Sequence, residues 1–171
     1  MLAGIDPILT GRLLCALDEM GHGDMVVVAD AHFTGSKLAR KHLVDLPGLS
    51  SPRVLQAIRT VFVPDGFEAF QLGLMQGPNQ GLLPVQEELI AAAHLDAPLV
   101  TSSETREDPA RDQVTLLDRY PFYERAARAE LIIRTGETRV YGNALFFKGV
   151  TPVPSDQALP PPASSFQTKQ G

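Results

Sequence analysis

The amino-acid sequence predicts an α/β domain in which a mostly parallel central sheet is flanked by helices. Short apolar runs rich in β-branched residues alternate with segments of helical periodicity along the chain, the pattern of helices layered on a sheet. One run, Met25-Val-Val-Val-Ala29, is apolar at every position, as a strand covered on both faces has to be. The composition agrees: 171 residues, 44% hydrophobic and 20% charged, suit one ordinary globular domain. Such a chain can bury roughly two-thirds of its unfolded surface without help from a metal or a disulfide.

The elements follow in order. Thr10 is placed to cap a first helix with Leu13, Leu14 and Leu17 at core spacing, and Gly21 to end it. The Met25–Ala29 strand comes next and breaks at Asp30-Ala-His-Phe33. Ser51-Pro52 supplies a cap and a first-turn proline for a second helix bearing Val54, Leu55 and Ile58. Phe70–Met75 reads as a strand. Pro84 opens a third helix, with Leu89, Ile90 and Ala93 inward and Glu87 and Glu88 near its positive end. Gln113–Leu117 reads as a strand, after which Asp118 and Pro121 introduce a helix over Phe122–Ala129, where Glu124 and Arg128 form an i,i+4 pair. Two strands close the domain, Glu130–Thr135 and Arg139–Phe147, with Gly136 as turn punctuation between them. Beyond Thr151 the composition turns to Pro, Ser, Ala and Gln, with prolines at 160 to 162. The expected organisation is a domain over 1–152 and an extended Pro-rich tail over 153–171.

Charge excludes some functions. The net charge is −5, and the fifteen lysines and arginines form no basic run. Neither nucleic acid nor a membrane surface is an expected partner, since both need clustered cations. No apolar run approaches ~18 residues and no leader pattern stands at the start, so the expected location is cytoplasmic. The single cysteine, Cys15, cannot form an intramolecular disulfide. Its neighbours Leu13, Leu14 and Leu17 predict a buried, unreactive thiol rather than a nucleophile.

Three segments stand apart from the core pattern. In Gly21-His22-Gly23-Asp24 the flanking glycines leave backbone freedom and open space around an imidazole, a group that titrates near neutrality and suits proton transfer. The competing reading is a histidine that satisfies the last carbonyls of the first helix. Asp30-Ala-His32 lies at the carboxyl end of the first strand, where open α/β sheets gather ligands. Asp30 can accept hydrogen bonds from sugar hydroxyls, or simply cap its own loop; His32 is better placed to position Asp30 or the loop. The third constellation joins Arg119-Tyr-Pro-Phe-Tyr-Glu-Arg125 to Tyr141-Gly142-Asn143. On a strand, Tyr141 and Asn143 would face one side and present a phenol and an amide to a sugar ring, with Gly142 allowing close approach of another backbone. Alternatively, they satisfy local backbone at a sheet edge. A metal reading on His22, Asp24, Asp30 and His32 matches no standard ligand spacing, so no metal is expected.

These segments together resemble the RbsD/FucU family, in the same order. Gly21-His-Gly-Asp24, Asp30-Ala-His-Phe33, Arg119 through Ala126, Thr135-Gly-Glu137, Tyr141-Gly-Asn143 and Lys148-Gly-Val-Thr-Pro152 carry the likeness over residues 1 to 152. Arginine at 119 and the Phe-Tyr-Glu-Arg segment after it favour the L-fucose branch over the ribose branch. The sequence departs from the pattern at Thr34, over 77–113 and in the tail. The resemblance implies an RbsD-like α/β layered domain and a cofactor-independent sugar mutarotase or pyranase acting on a free monosaccharide. It implies that His22 is the proton donor and that Asp30, Arg119, Tyr141, Gly142 and Asn143 bind the sugar. It also implies a ring-shaped homo-oligomer, such as a decamer, with sites near subunit contacts. Two other readings stay open at this point. One is a non-enzymatic sugar-binding or transport accessory protein, and the other is a metal-dependent hydrolase or aldolase.

Overall fold

The computed structural model describes residues 2–78, 81–93 and 113–151; the tail expected over 153–171 lies outside them. Six strands form one sheet in the order β2-β5-β1-β6-β3-β4. They are β1 (Met25–Ala29), β2 (His42–Leu46), β3 (Leu72–Met75), β4 (Val114–Leu117), β5 (Leu131–Thr135) and β6 (Ala144–Phe147). β2, β5 and β1 run parallel, as do β3 and β4, while β6 is antiparallel to both of its neighbours. Only β6 opposes the rest, so the mostly parallel sheet expected from sequence is what the chain forms.

The period-two alternation of β1 divides the core. Val26 and Val28 join a cluster with α1 (Gly11–Glu19), α3 (Ser51–Arg59) and α4 (Pro84–Ala93). Met25, Val27 and Ala29 join a second cluster on the other face with α2 (Gly35–Leu38) and α5 (Arg119–Ala126). Each β1 valine is fully buried, which stabilises the fold by roughly 1.5–3 kcal/mol per side chain. Helices thus cover both faces and leave the sheet ends open for chemistry.

Local signals set most boundaries. The Thr10 hydroxyl accepts a hydrogen bond from the Leu13 amide and starts α1, which buries Leu13, Ala16 and Leu17. Cys15 corrects the expectation of burial. It lies two residues from both Leu13 and Leu17, about 200° around the helix, and is exposed. A hydrogen bond to Glu19 and that residue's charge, ahead of desolvation, push its thiol pKa up. Ser50, not Ser51, caps α3 through the Arg53 amide, and Ser51 turns inward to meet Thr135 Oγ1 at 2.9 Å. α5 begins three residues before the expected Phe122, because Pro121 is tolerated inside a first helical turn. It ends at Ala126, so Arg128 lies beyond the helix and the i,i+4 pair with Glu124 does not form there.

The sequence reading missed α2 and β2. α2 has only four residues, too few to show a period, and β2 is an edge strand in which Val44 alone is buried. The strand expected over Arg139–Phe147 shortens to Ala144–Phe147. Tyr141 precedes it in a turn with φ of 65°, so Tyr141 and Asn143 do not share a strand face.

Candidate functional site

Two polar clusters occupy opposite ends of β1. At its amino end, His22 is half-exposed on the turn between α1 and β1, where Gly23 takes the positive φ of 81° that the turn needs. His22 does not satisfy the last carbonyls of α1. That task falls to Lys148 at the end of β6, whose ammonium donates to the carbonyls of Leu17 at 2.8 Å and Met20 at 2.6 Å. Two backbone hydrogen bonds, Gly23 N to Lys148 O and Lys148 N to Asp24 O, both 2.8 Å, pin the turn to the sheet.

The imidazole instead meets Asp65, with Nε2 2.9 Å from Oδ2. Asp65 is buried, and its other oxygen accepts the Phe67 amide at 2.7 Å. Phe67 is 82% exposed and lies edge-on to the His22 ring, centroids 5.6 Å apart. A buried carboxylate on one ring nitrogen fixes the tautomer and leaves Nδ1 as the working nitrogen. This arrangement is chemically suited to proton transfer. Asp65 was not foreseen, because Pro64-Asp-Gly66 reads simply as a turn and the fold alone brings it to His22.

At the carboxyl end of β1, Asp30 is almost fully buried. Asp30 and Asn143 bond reciprocally: Asp30 N donates to Asn143 Oδ1 at 2.9 Å, and Asn143 Nδ2 donates to Asp30 Oδ2 at 2.7 Å. The His32 amide donates to Asp30 Oδ1 at 3.0 Å, and the Tyr141 amide also bonds the carboxylate. Burial pushes the Asp30 carboxyl pKa up, and these hydrogen bonds oppose it. Asp30 therefore caps its own loop and also anchors the turn carrying Tyr141. A left-handed conformation at a bulky residue costs roughly 1–3 kcal/mol, strain that tends to collect at functional sites. Gly142 is needed beside it, since a Cβ there would lie 2.8 Å from Glu137 Cγ and 3.2 Å from the Arg139 carbonyl. His32 Nε2 sits 3.3 Å from the Thr138 carbonyl and ties the loop in place, the positioning part expected of it.

Arg119 stands at the first residue of α5, just beyond the carboxyl end of β4. Its guanidinium lies over the Tyr123 ring and donates to the Tyr123 hydroxyl at 3.4 Å, and it is near enough to Tyr141 to feel that phenol. A cation at a helix's positive end works against the dipole, so helix stability does not explain it. Because β6 opposes its neighbours, its start lies at the same sheet end as the finishes of β1 and β4. Asp30, Arg119, Tyr141, Gly142 and Asn143 thus gather there. A shallow depression of about 510 Å³ lies alongside, lined by Ala31, Pro47, Thr138 and the Asp45–Arg134 ion pair, and holds none of the candidate side chains.

One chain does not unite His22 with these groups. Five strand residues at roughly 3.3 Å each put about 16 Å between the ends of β1. Within one chain the same separation keeps His22 and Asp24 away from Asp30 and His32; among the described residues no three His, Cys, Asp or Glu side chains converge. No helix among them is long and apolar enough to cross a membrane.

Comparison with known proteins agrees with this fold. The model of the RbsD / FucU transport protein family matches residues 3–151. The L-fucose mutarotase of Glaesserella parasuis serovar 5 is 37% identical over 161 residues, covering 91% of this chain and 100% of its own length. FucU from Bifidobacterium longum has a similar crystal structure, with a TM-score of 0.73 and 31% identity over 86% of this chain and 99% of that one. The fucose mutarotase of Streptococcus pneumoniae, crystallised with L-fucose, gives a TM-score of 0.71 and 29% identity over 88% of this chain and 99% of that one.

Proposed function

Because the chain belongs to the RbsD/FucU family, we propose that it is a cofactor-independent isomerase, a mutarotase that interconverts the α and β anomers of a free monosaccharide, L-fucose foremost. The observation that carries the chemistry is the His22–Asp65 pair. With Nε2 held by Asp65, the imidazolium gives its Nδ1 proton to the ring oxygen while a base takes the anomeric hydroxyl proton. The ring opens to the aldehyde, the carbonyl turns, and closure reverses the transfers. Arg119 remains protonated and binds rather than acts as base; Asp30, Tyr141 and Asn143 orient the hydroxyls. Sugars mutarotate unaided, so acid–base help of about 10²–10⁴-fold is enough.

The site is completed between subunits. The His22 end of one chain meets the Arg119 end of the next, head to tail, and repetition closes a ring, as heterologous contacts do when their rotation closes. What supports this is that each half-site is incomplete alone and carries an exposed aromatic, Phe67 at one end and Tyr120, 77% exposed, at the other. The exposed free thiol of Cys15 suits a reducing compartment, in keeping with a cytoplasmic location.

Saturation-transfer NMR between the anomeric protons of L-fucose, with D-ribose in parallel, tests the reading. Wild-type protein should speed exchange, and folded His22→Ala should not. Line broadening without faster exchange would instead identify a sugar-binding accessory protein.

A further inference from the structure

The Thr135-Gly-Glu137 segment has no part in the proton transfers above, yet its glutamate is buried at the centre of the sugar-binding end. Glu137 is 5% exposed. Its carboxylate accepts three hydrogen bonds from Arg139: N at 3.0 Å and Nε at 2.9 Å on Oε1, and Nη2 at 2.9 Å on Oε2. A fourth comes from the Ser51 amide at the start of α3. The Glu137 amide donates to Thr135 Oγ1 at 3.2 Å, and its carbonyl accepts the Ala31 amide at 2.8 Å, next to Asp30. Arg139 in turn grips Glu88 of α4 with both terminal nitrogens, at 2.7 and 2.8 Å. Gly142, between Tyr141 and Asn143, lies directly against the Glu137 side chain.

We infer that Glu137 and Arg139 are a positioning pair for the sugar-binding turn. Together they hold residues 138–143 in the conformation that keeps Tyr141 left-handed and Asn143 on Asp30 before any sugar arrives. Three features carry this. The carboxylate is a buried charge with a full complement of donors, so its place is over-determined. The planar guanidinium fork joins two carboxylates from separate elements, a task a lysine's point charge does not perform. And the residue that Glu137 packs against is the glycine inside the Tyr-Gly-Asn turn. The pair touches no sugar; it sets the geometry of groups that do. A preassembled turn spares the sugar the entropic cost of ordering it, so the pair's contribution falls on binding. The inference rests on the mutarotase reading for its kinetic consequence alone.

Arg139→Met is the main test, because Arg139 is partly exposed and methionine keeps an apolar stem; Glu137→Gln is the second variant. In Arg139→Met, KM for L-fucose should rise about tenfold or more, with kcat within about threefold, since small misplacements of binding groups are costly. Tyr141→Phe should cost less in the Arg139→Met background than in the wild type, because the two act through one turn. Independently of activity, amide hydrogen exchange at residues 141–143 should speed about tenfold or more while β1 and β5 stay protected. An unchanged KM, strictly additive effects of the two substitutions, or unchanged exchange at 141–143 would each overturn the inference. If wild-type protein fails to speed anomer exchange, the mutarotase reading falls, and the hydrogen-exchange comparison still decides the positioning pair. Should Glu137→Gln not fold, Arg139→Met decides alone.

Discussion

Subunit mixing puts the proposed shared site to a quantitative test. His22→Ala removes the proposed proton donor at one end of the sheet and Arg119→Ala removes the proposed binding cation at the other. Both side chains are surface-accessible, so neither change should unfold the domain. If each site takes its donor half from one subunit and its binding half from the next, two inactive proteins can restore each other. In a random equimolar mixture an interface has an intact His22 on one side half the time, and an intact Arg119 on the other half the time. Activity should therefore return to about a quarter of the wild-type value per site. Anomer exchange measured by NMR on co-expressed or co-refolded protein reads the recovery, and native mass spectrometry verifies that the rings are mixed. Mixed rings no more active than the average of the two parents would refute the shared site. With about 16 Å of β1 between the half-sites, a sugar could not then be served by both ends of one chain, and His22 would lose its partners.

Three further outcomes follow from the geometry. Asp65→Asn removes the charge that holds His22 Nε2, and kcat should fall about tenfold or more with KM nearly unchanged; steady-state anomer exchange checks this. Gly142→Ala drives a Cβ into Glu137, whose carboxylate is fixed by four donors, so a loss of about 1–3 kcal/mol in chemical denaturation is expected, together with weaker sugar binding. Arg139 holds the Glu137 and Glu88 carboxyls below their ordinary value of 4.5. A lowered carboxyl pKa contributes stability in full above that value and loses it as pH falls through the lowered one. Thermal melts of wild type and Arg139→Met should thus differ most at neutral pH and converge below about pH 4.5; a gap that stays constant on acidification would contradict the assignment.

Local chemistry explains what sequence reading reached. Thr10, the apolar Met25–Ala29 run and Pro84 act within a few residues of themselves, and each marks its element correctly. Asp30 and Asn143, named from motif position, meet across 113 residues of chain. Asp65 escaped notice because a Pro-Asp-Gly turn has no feature that announces a histidine partner 43 residues away. Residues 139–141 read as strand because Val140 and Tyr141 favour β structure, whereas hydrogen bonds from distant elements impose the left-handed Tyr141. Ser51 seemed a cap, since a Ser-Ser-Pro sequence leaves the choice of serine to the tertiary bond with Thr135. Short, half-buried β2 lacked the alternating burial that makes a strand visible.

The reversed strand β6 has only four residues, yet each of its borders fastens a different polar cluster: Asn143 clasps Asp30, and Lys148 grips the closing turn of α1. Its ladder with β1 acts as a ruler whose marks are four residue pairs. Slipping that ruler by a single notch would flip every side chain along it and unseat both fastenings together. Length can vary in the loops at little cost, but an insertion within β1 or β6 would put two separated chemistries out of step at once.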